Sequence, residues 1–156
     1  MCIRDRVNVT SAADMADVVK SKAAEQDIII MTAAVADFCP SHPADEKIKK
    51  NDSSYESVIE LERTEDILSY LGAHKAKGQL ICGFSMETQN MLENSKAKLA
   101  KKNADMIVAN NLKVAGAGFG TDTNVVTLIT ADDCTELEIM DKSCVAAKIM
   151  DRLLQM

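Results

Sequence analysis

Residues 27–50 read DIIIMTAAVADFCPSHPADEKIKK, and the order of their features decides the fold. Ile28, Ile29, Ile30 and Met31 form an unbroken apolar run, the pattern of a parallel strand covered on both faces. Small residues follow at Ala33, Ala34 and Ala36, which leave room for a ligand to approach the backbone, and the run stops at Asp37. A polar stretch flanked by prolines then closes on Lys47, Lys49 and Lys50. A buried strand ending in small residues, a carboxylate and a basic loop suits an open α/β sheet. In such sheets ligands bind beyond the carboxyl ends of the strands.

The same alternation extends in both directions. Residues 7–10, VNVT, read as a strand, and Ser11 with Asp14 three residues later forms a capping-box pattern. The helix this opens places Met15, Val18, Val19 and Ala23 on one face. Beyond the basic loop, SVIELE alternates as a short strand with one open face, and Thr64 is placed to cap EDILSYLGAHKAK. QLICGFS is a second buried strand, and Thr88 opens the helix QNMLENSKAKLAKKN. DMIVAN, VVTLIT and TELEIM are further strands, and KSCVAAKIMDRLLQ is a last helix. Strand and helix in repeated alternation imply right-handed crossovers and a Rossmann-like, three-layer α/β fold. VVTLIT and TELEIM lie within hairpin distance across ADD, so the mostly parallel sheet is expected to carry an antiparallel edge. Residues 1–6, MCIRDR, match neither period and read as a non-native leader. Residues 7–156 read as a single domain.

With 156 residues and 47% hydrophobic content, the chain can bury a real core. A formal net charge of −6 argues against general nucleic-acid or anionic-membrane binding, and no apolar run reaches the length of a membrane span. Cys2, Cys39, Cys82, Cys134 and Cys144 are odd in number and never form C-x-x-C, and there are two histidines. Reduced thiols in a cytoplasmic protein are therefore expected, and a zinc site is not.

In this acidic chain the basic residues are concentrated. Lys47, Lys49 and Lys50 form one cluster, and Lys96, Lys98, Lys101 and Lys102 form a second. Lys98 and Lys102 are four apart and share a helical face. Either cluster alone reads as solvated surface. Together, each C-terminal to a buried strand, they suggest a polyphosphate site, since ammonium groups neutralise phosphates without strict geometry. Asp37 suits a hydroxyl, an amine or a cation, or equally a turn. Phe84 follows Gly83 at a strand end, placed to stack on a base or to fill the core. Asn110 and Asn111 end the next strand, placed to read base edges or make a turn. GAGFGTD precedes a strand and is not G-x-G-x-x-G, so it is rejected as a dinucleotide fingerprint and a Rossmann oxidoreductase is disfavoured. No activated protein nucleophile is evident. That inventory suits a reaction in which substrates attack one another while the protein orients and neutralises them.

Six ordered motifs resemble the phosphopantothenoylcysteine synthetases: AAVADFxP, KIKK, TxDIL, GFSMET, KLAKKNADMIVAN and GFGTDTNVVTLI, where x is any residue. These synthetases form the carboxy-terminal half of a bifunctional bacterial coenzyme A biosynthesis flavoprotein, and the resemblance spans nearly everything from residue 7 onward.

The resemblance implies a phosphopantothenate–cysteine ligase that condenses 4′-phosphopantothenate with L-cysteine. CTP is the co-substrate, Mg²⁺ the metal, and an acyl-cytidylate the intermediate. It places Ala33, Ala34 and Asp37 around phosphopantothenate and nucleotide, and makes Lys47 the mobile-loop lysine that stabilises the activated intermediate. Asp37, Lys47, Glu65, Asp66, Ile67, Leu68, Phe84, Lys98, Lys102 and Asn110 become nucleotide contacts by the same correspondence. It further implies a homodimer, with strands around 41–62 at the interface, and fusion to or association with a decarboxylase. FMN is not expected in this part. Glu65 stands where the family usually has proline, and a carboxylate near a triphosphate is unfavourable unless it points away or meets a cation. The family also starts earlier than residue 7, with a Gly-rich strand–loop–helix that binds phosphate. The chain is accordingly expected to be amino-terminally truncated and inactive by itself. The alternative from another class is a non-catalytic nucleotide-binding or oligomerisation module, which would bind nucleotide without releasing pyrophosphate.

Overall fold

The computed structural model describes residues 5–44, 46–47, 58–86, 90–111 and 120–156. Lys49, Lys50, Thr88 and the Gly-rich residues 115–119 lie outside them, as do residues 1–4.

A five-stranded sheet runs in the order β1 (Ile28–Met31), β4 (Leu80–Met86), β5 (Met106–Asn110), β7 (Val126–Ile129) and β8 (Cys134–Glu136). β1, β4 and β5 pair in parallel, β7 pairs antiparallel to β5, and β8 antiparallel to β7. Four of the five strands therefore share one direction, and the expected hairpin across ADD forms the edge. Four helices complete the layers: α1 (Ala12–Ala23), α2 (Ile67–Ala73), α3 (Met91–Lys101) and α4 (Lys142–Leu153).

Side-chain alternation along β4 sorts the helices. Cys82 faces the core that Val145, Ile149 and Leu153 of α4 share with Met106, Val108 and Val126. Ile81 faces the opposite side, where Ala16 of α1 and Ile67 and Leu71 of α2 are buried. Ser85, two positions on from Gly83, points the same way and meets Ser95 of α3 at 2.8 Å between buried hydroxyls. Hence α1, α2 and α3 cover one face and α4 the other.

Close backbone approach sets the α2–α3 contact. A Cβ on Gly72 would stand 1.8 Å from the Lys102 carbonyl oxygen, so α2 can lie against the end of α3 only with glycine there. Asn103 closes the same joint by donating to Gly72 O at 2.8 Å. Two residues past Asn103, the Asp105 carboxylate accepts from Ile81 N at 2.7 Å and contacts Lys75.

Several local expectations are corrected. Residues 7–9 form no strand; Val7 is 49% exposed, and the Thr10 and Ser11 amides are committed to the Asp14 carboxylate that caps α1. The capping box itself is present. β1 is only half-buried, because among the described residues it pairs on one side alone. Asp66, not Thr64, caps α2, accepting from Ser69 N at 2.9 Å, while the Thr64 hydroxyl donates to Ala36 O. SVIELE contributes only to β3 (Leu61–Arg63), which pairs with β2 (Phe38–Pro40) in a separate antiparallel ribbon. All three β3 residues are exposed, so its alternation marks no core face. TELEIM is divided between β8 and β9 (Met140–Asp141), and β9 pairs with β6 (Thr123–Asn124) in a second small ladder.

Candidate functional site

A cleft of about 180 Å³ opens beyond the carboxyl ends of β1 and β4. Met31, Ala33, Val35, Ala36 and Asp37 line it from the segment after β1. Thr64 to Leu68 line it from the start of α2, Phe84 from β4, and Lys98 and Lys102 from α3. Nine residues singled out in the sequence thus converge: Ala33, Asp37, Glu65, Asp66, Ile67, Leu68, Phe84, Lys98 and Lys102. Their convergence follows from the topology. Parallel pairing of β1 with β4 brings the two strand ends level, and α3 returns antiparallel to β4 with its lysine face over them.

Each lysine has a defined anchor. Lys98 Nζ donates to the Phe84 carbonyl oxygen at 2.8 Å, which spans the end of β4 and leaves the other donors of the ammonium for a ligand. Lys102 Nζ contacts the Asp66 carboxylate and donates to Ser69 Oγ at 2.9 Å. Lys102 is 13% exposed in its side chain and Asp66 50%. Partial burial alone would raise the Asp66 pKa. The Lys102 ammonium and the Ser69 amide outweigh it, and the carboxyl ends below its ordinary value.

The acids of the cleft differ in their engagement. Glu65 contacts Lys20, which comes from α1, so the unusual carboxylate meets a cation rather than standing alone. Asp37 is exposed, its carbonyl accepts from Thr64 N at 3.0 Å, and among the described residues no cation pairs with its carboxylate.

Packing under the cleft is tight. A Cβ on Gly83 would come within 2.6 Å of Leu68 Cδ2 and 3.1 Å of Ile107 Cδ1, so the bare strand lets Leu68 reach the floor. Thr64 and Lys20 were missed in the sequence as neighbours of the site. Thr64 reads locally only as a cap and Lys20 carries no local mark, because both reach the site through long-range pairing. Three anticipated residues lie outside the lining. Ala34 is exposed, Lys47 is exposed on the far side of the β2 segment in sequence, and Asn110 is held by Asn124, whose Nδ2 donates to Asn110 Oδ1 at 2.9 Å.

Among the described residues no group of three or more His, Cys, Asp or Glu is arranged to hold a metal ion, and no helix is long and apolar enough to cross a membrane. Cys82 is fully buried, and burial, helped by the nearby Asp105 charge, pushes its thiol up to about 12.

Comparison with known proteins gives a consistent neighbourhood. The profile of the DNA/pantothenate metabolism flavoprotein C-terminal domain matches residues 3–156. The coenzyme A biosynthesis bifunctional protein CoaBC of Bacillus subtilis is 47% identical over 148 residues, covering 94% of this chain and 36% of that protein. A cysteine/cysteine sulfinic acid decarboxylase from an unknown prokaryotic organism is 45% identical over 149 residues, covering 95% of this chain and 41% of that protein. Among solved structures, the C-terminal domain of a CoaBC protein superposes with a TM-score of 0.74 at 41% identity, over 96% of this chain and 66% of that one. A Cab2 variant in complex with phosphopantothenate-cysteine shares the fold, with a TM-score of 0.66 at 18% identity over 94% of this chain and 52% of that one. The chain spans well under half the length of these curated relatives.

Proposed function

The chain belongs to the DNA/pantothenate metabolism flavoprotein C-terminal domain family, and from that premise we propose that it is a phosphopantothenate–cysteine ligase acting in coenzyme A biosynthesis with CTP. The observation that carries this reading is the convergence of Lys98 and Lys102 with Asp37 on one cleft at the carboxyl ends of β1 and β4. The names of the relatives, a bifunctional coenzyme A biosynthesis protein and a protein complexed with phosphopantothenate-cysteine, agree with it.

The cleft is smaller than the roughly 300 Å³ at which pockets enclose whole ligands. Its volume and two lysines suit the triphosphate end of CTP, with the base and ribose toward Phe84 and the open side. Lys98, steadied by the Phe84 carbonyl, and Lys102, steadied by Asp66 and Ser69, neutralise the phosphates and the departing pyrophosphate. The carboxylate of 4′-phosphopantothenate attacks the α-phosphorus, and pyrophosphate leaves. The amine of L-cysteine then attacks the acyl carbon of the acyl-cytidylate, loses a proton, and displaces CMP. The chain's contribution is to orient and neutralise, since no protein nucleophile is required.

Mg²⁺ fits this donor set as an ion carried by the phosphates. Asp37 is the cleft carboxylate with no cation partner among the described residues, whereas Glu65 and Asp66 are engaged by Lys20 and Lys102. One carboxylate plus phosphates and water is an ordinary Mg²⁺ environment, and the ion when bound would supply further charge neutralisation. Lys47 and Ala34 belong to the same reading as contacts to the activated intermediate and to phosphopantothenate, and Asn110 as a contact to the nucleotide.

A homodimer is part of the proposal. The β2–β3 ribbon presents Phe38 at 49% and Leu61 at 59% exposure, and Ile59 just before β3 is 71% exposed, which is apolar surface suited to a second copy. Working beside a phosphopantothenoylcysteine decarboxylase in the cytoplasm completes the assignment.

The test exchanges this chain for its matching region in the Bacillus subtilis relative, because the chain spans 36% of that protein. Purified chimera with CTP, Mg²⁺, 4′-phosphopantothenate and L-cysteine should release pyrophosphate and CMP in equal amounts and form the amide. A folded chimera that binds CTP and releases no pyrophosphate would make the domain a binding module instead.

A further inference from the structure

The cleft lining carries three carboxylates, Asp37, Glu65 and Asp66, against two ammonium groups, Lys98 and Lys102. Lys102 is already committed to Asp66. Left uncompensated, Glu65 would give an acidic rim to a site that takes a polyphosphate, well within one Debye length of it. Lys20 supplies the missing cation from α1, a helix that contributes no residue to the lining.

Its position is determined from two sides. The ammonium contacts Glu65 Oε2 and lies 5.0 Å from the centroid of the Tyr70 ring on α2. Tyr70 in turn stacks on His74, with ring centroids 4.1 Å apart, so the ring is held in place. The Glu65 carboxylate raises the Lys20 pKa against the opposing effect of desolvation, so the ammonium stays charged when its partner is ionised.

We propose that Lys20 is a positioning residue for the nucleotide cleft: it holds Glu65 toward α1 and cancels its charge, so that a polyphosphate can approach Lys98 and Lys102. This rests on the reading of the cleft as the CTP site. The role is electrostatic rather than architectural, because an exposed ion pair of this kind contributes little to folding stability. It acts on the ligand through Glu65, and that indirect route is what an experiment can isolate.

The experiment is calorimetry of the full chain with two probes, CTP and inorganic tripolyphosphate, at low salt. Four further proteins are compared: K20M, K20R, E65Q and the K20M/E65Q double variant. K20M should bind both probes about tenfold more weakly, the size of a 1.4 kcal/mol change, while its melting temperature stays near that of the unmodified chain. K20R should retain most of the affinity. In the E65Q background the same Lys20 substitution should have no effect, because the charge it compensates is gone. An equal loss with and without Glu65 would show direct contact between Lys20 and phosphate and overturn the positioning role. Unchanged K20M affinity would overturn it as well, with the cleft assignment intact. Absence of any binding by the unmodified chain would instead remove the cleft assignment, and this inference with it.

Discussion

The ammonium of Lys102, at the carboxyl end of α3, contacts the carboxylate of Asp66 that caps the first turn of α2. One side chain thus joins two helices across the mouth of the cleft, while Ser69 Oγ accepts a second bond from it at 2.9 Å. Lys102 therefore has two duties, ligand neutralisation and helix placement, where Lys98 has an anchor only on the strand end.

Lys98→Ala and Lys102→Ala should separate those duties. Both should weaken CTP binding by about 1.5–3 kcal/mol, the range for bonds to charged groups. Only Lys102→Ala should also lower the denaturant midpoint, because it releases α2 from α3. Calorimetry and urea unfolding on both variants check this, and unchanged CTP affinity in both would remove the lysines from the site.

The Asp66 pairing sets a pH dependence. Its folded-state pKa lies below the ordinary 3.8, so its contribution to stability is complete above that value. The contribution is lost as pH falls through the folded pKa. Asp66→Asn should therefore be less stable than the unmodified chain at neutral pH, and the gap should close progressively below about pH 4. Thermal unfolding from about pH 2.5 to about pH 7 reads the effect.

Cys82 gives the complementary alkaline case. The folded thiol titrates near 12 against an ordinary 9.0, so the unfolded chain loses its proton first and stability falls as pH rises above about 9. The limiting slope for one group is about 1.4 kcal/mol per pH unit. Cys82→Ala should flatten that slope, and native Cys82 should resist thiol reagents at neutral pH while exposed Cys134 and Cys144 react.

Gly72→Ala and Gly83→Ala should differ sharply. At Gly72 the added Cβ meets backbone, the Lys102 carbonyl at 1.8 Å, and α2 must move off α3. At Gly83 it meets first the end of the Leu68 side chain, which can turn aside into the cleft. Gly72→Ala should cost at least the roughly 1–3 kcal/mol of an overpacked site. Gly83→Ala should cost less and instead weaken CTP binding. Equal destabilisation by the two would contradict the packing described.

Lys47 distinguishes binding from turnover. It is exposed and outside the cleft lining, and its proposed role is with the activated intermediate. Lys47→Gln in the Bacillus subtilis chimera should lower the pre-steady-state rate of pyrophosphate release more than it lowers CTP affinity.

Much of this was legible in the residues because the relevant signals are local. The Ser11–Asp14 capping box, the apolar runs of β4 and β5, and the four-residue spacing of Lys98 and Lys102 each need only a short window. Parallel order then follows from alternation, and with it the convergence of the strand ends. What escaped the sequence is decided over distance. Whether VNVT is a strand depends on a pairing partner, not on its own propensity. Thr64 and Asp66 both look like caps, and the choice between them rests on Thr64 bonding Ala36 across the cleft. The pairing of Glu65 with Lys20, forty-five residues apart, has no sequence signature at all.

The most direct test of the central claim is a crystal structure of this chain with CTP and Mg²⁺. The account predicts the triphosphate in the cleft between Asp37 and α3, with phosphate oxygens about 2.7–2.9 Å from Lys98 Nζ and Lys102 Nζ and Glu65 still turned to Lys20. CTP seated elsewhere, with this cleft unchanged and empty, would contradict it.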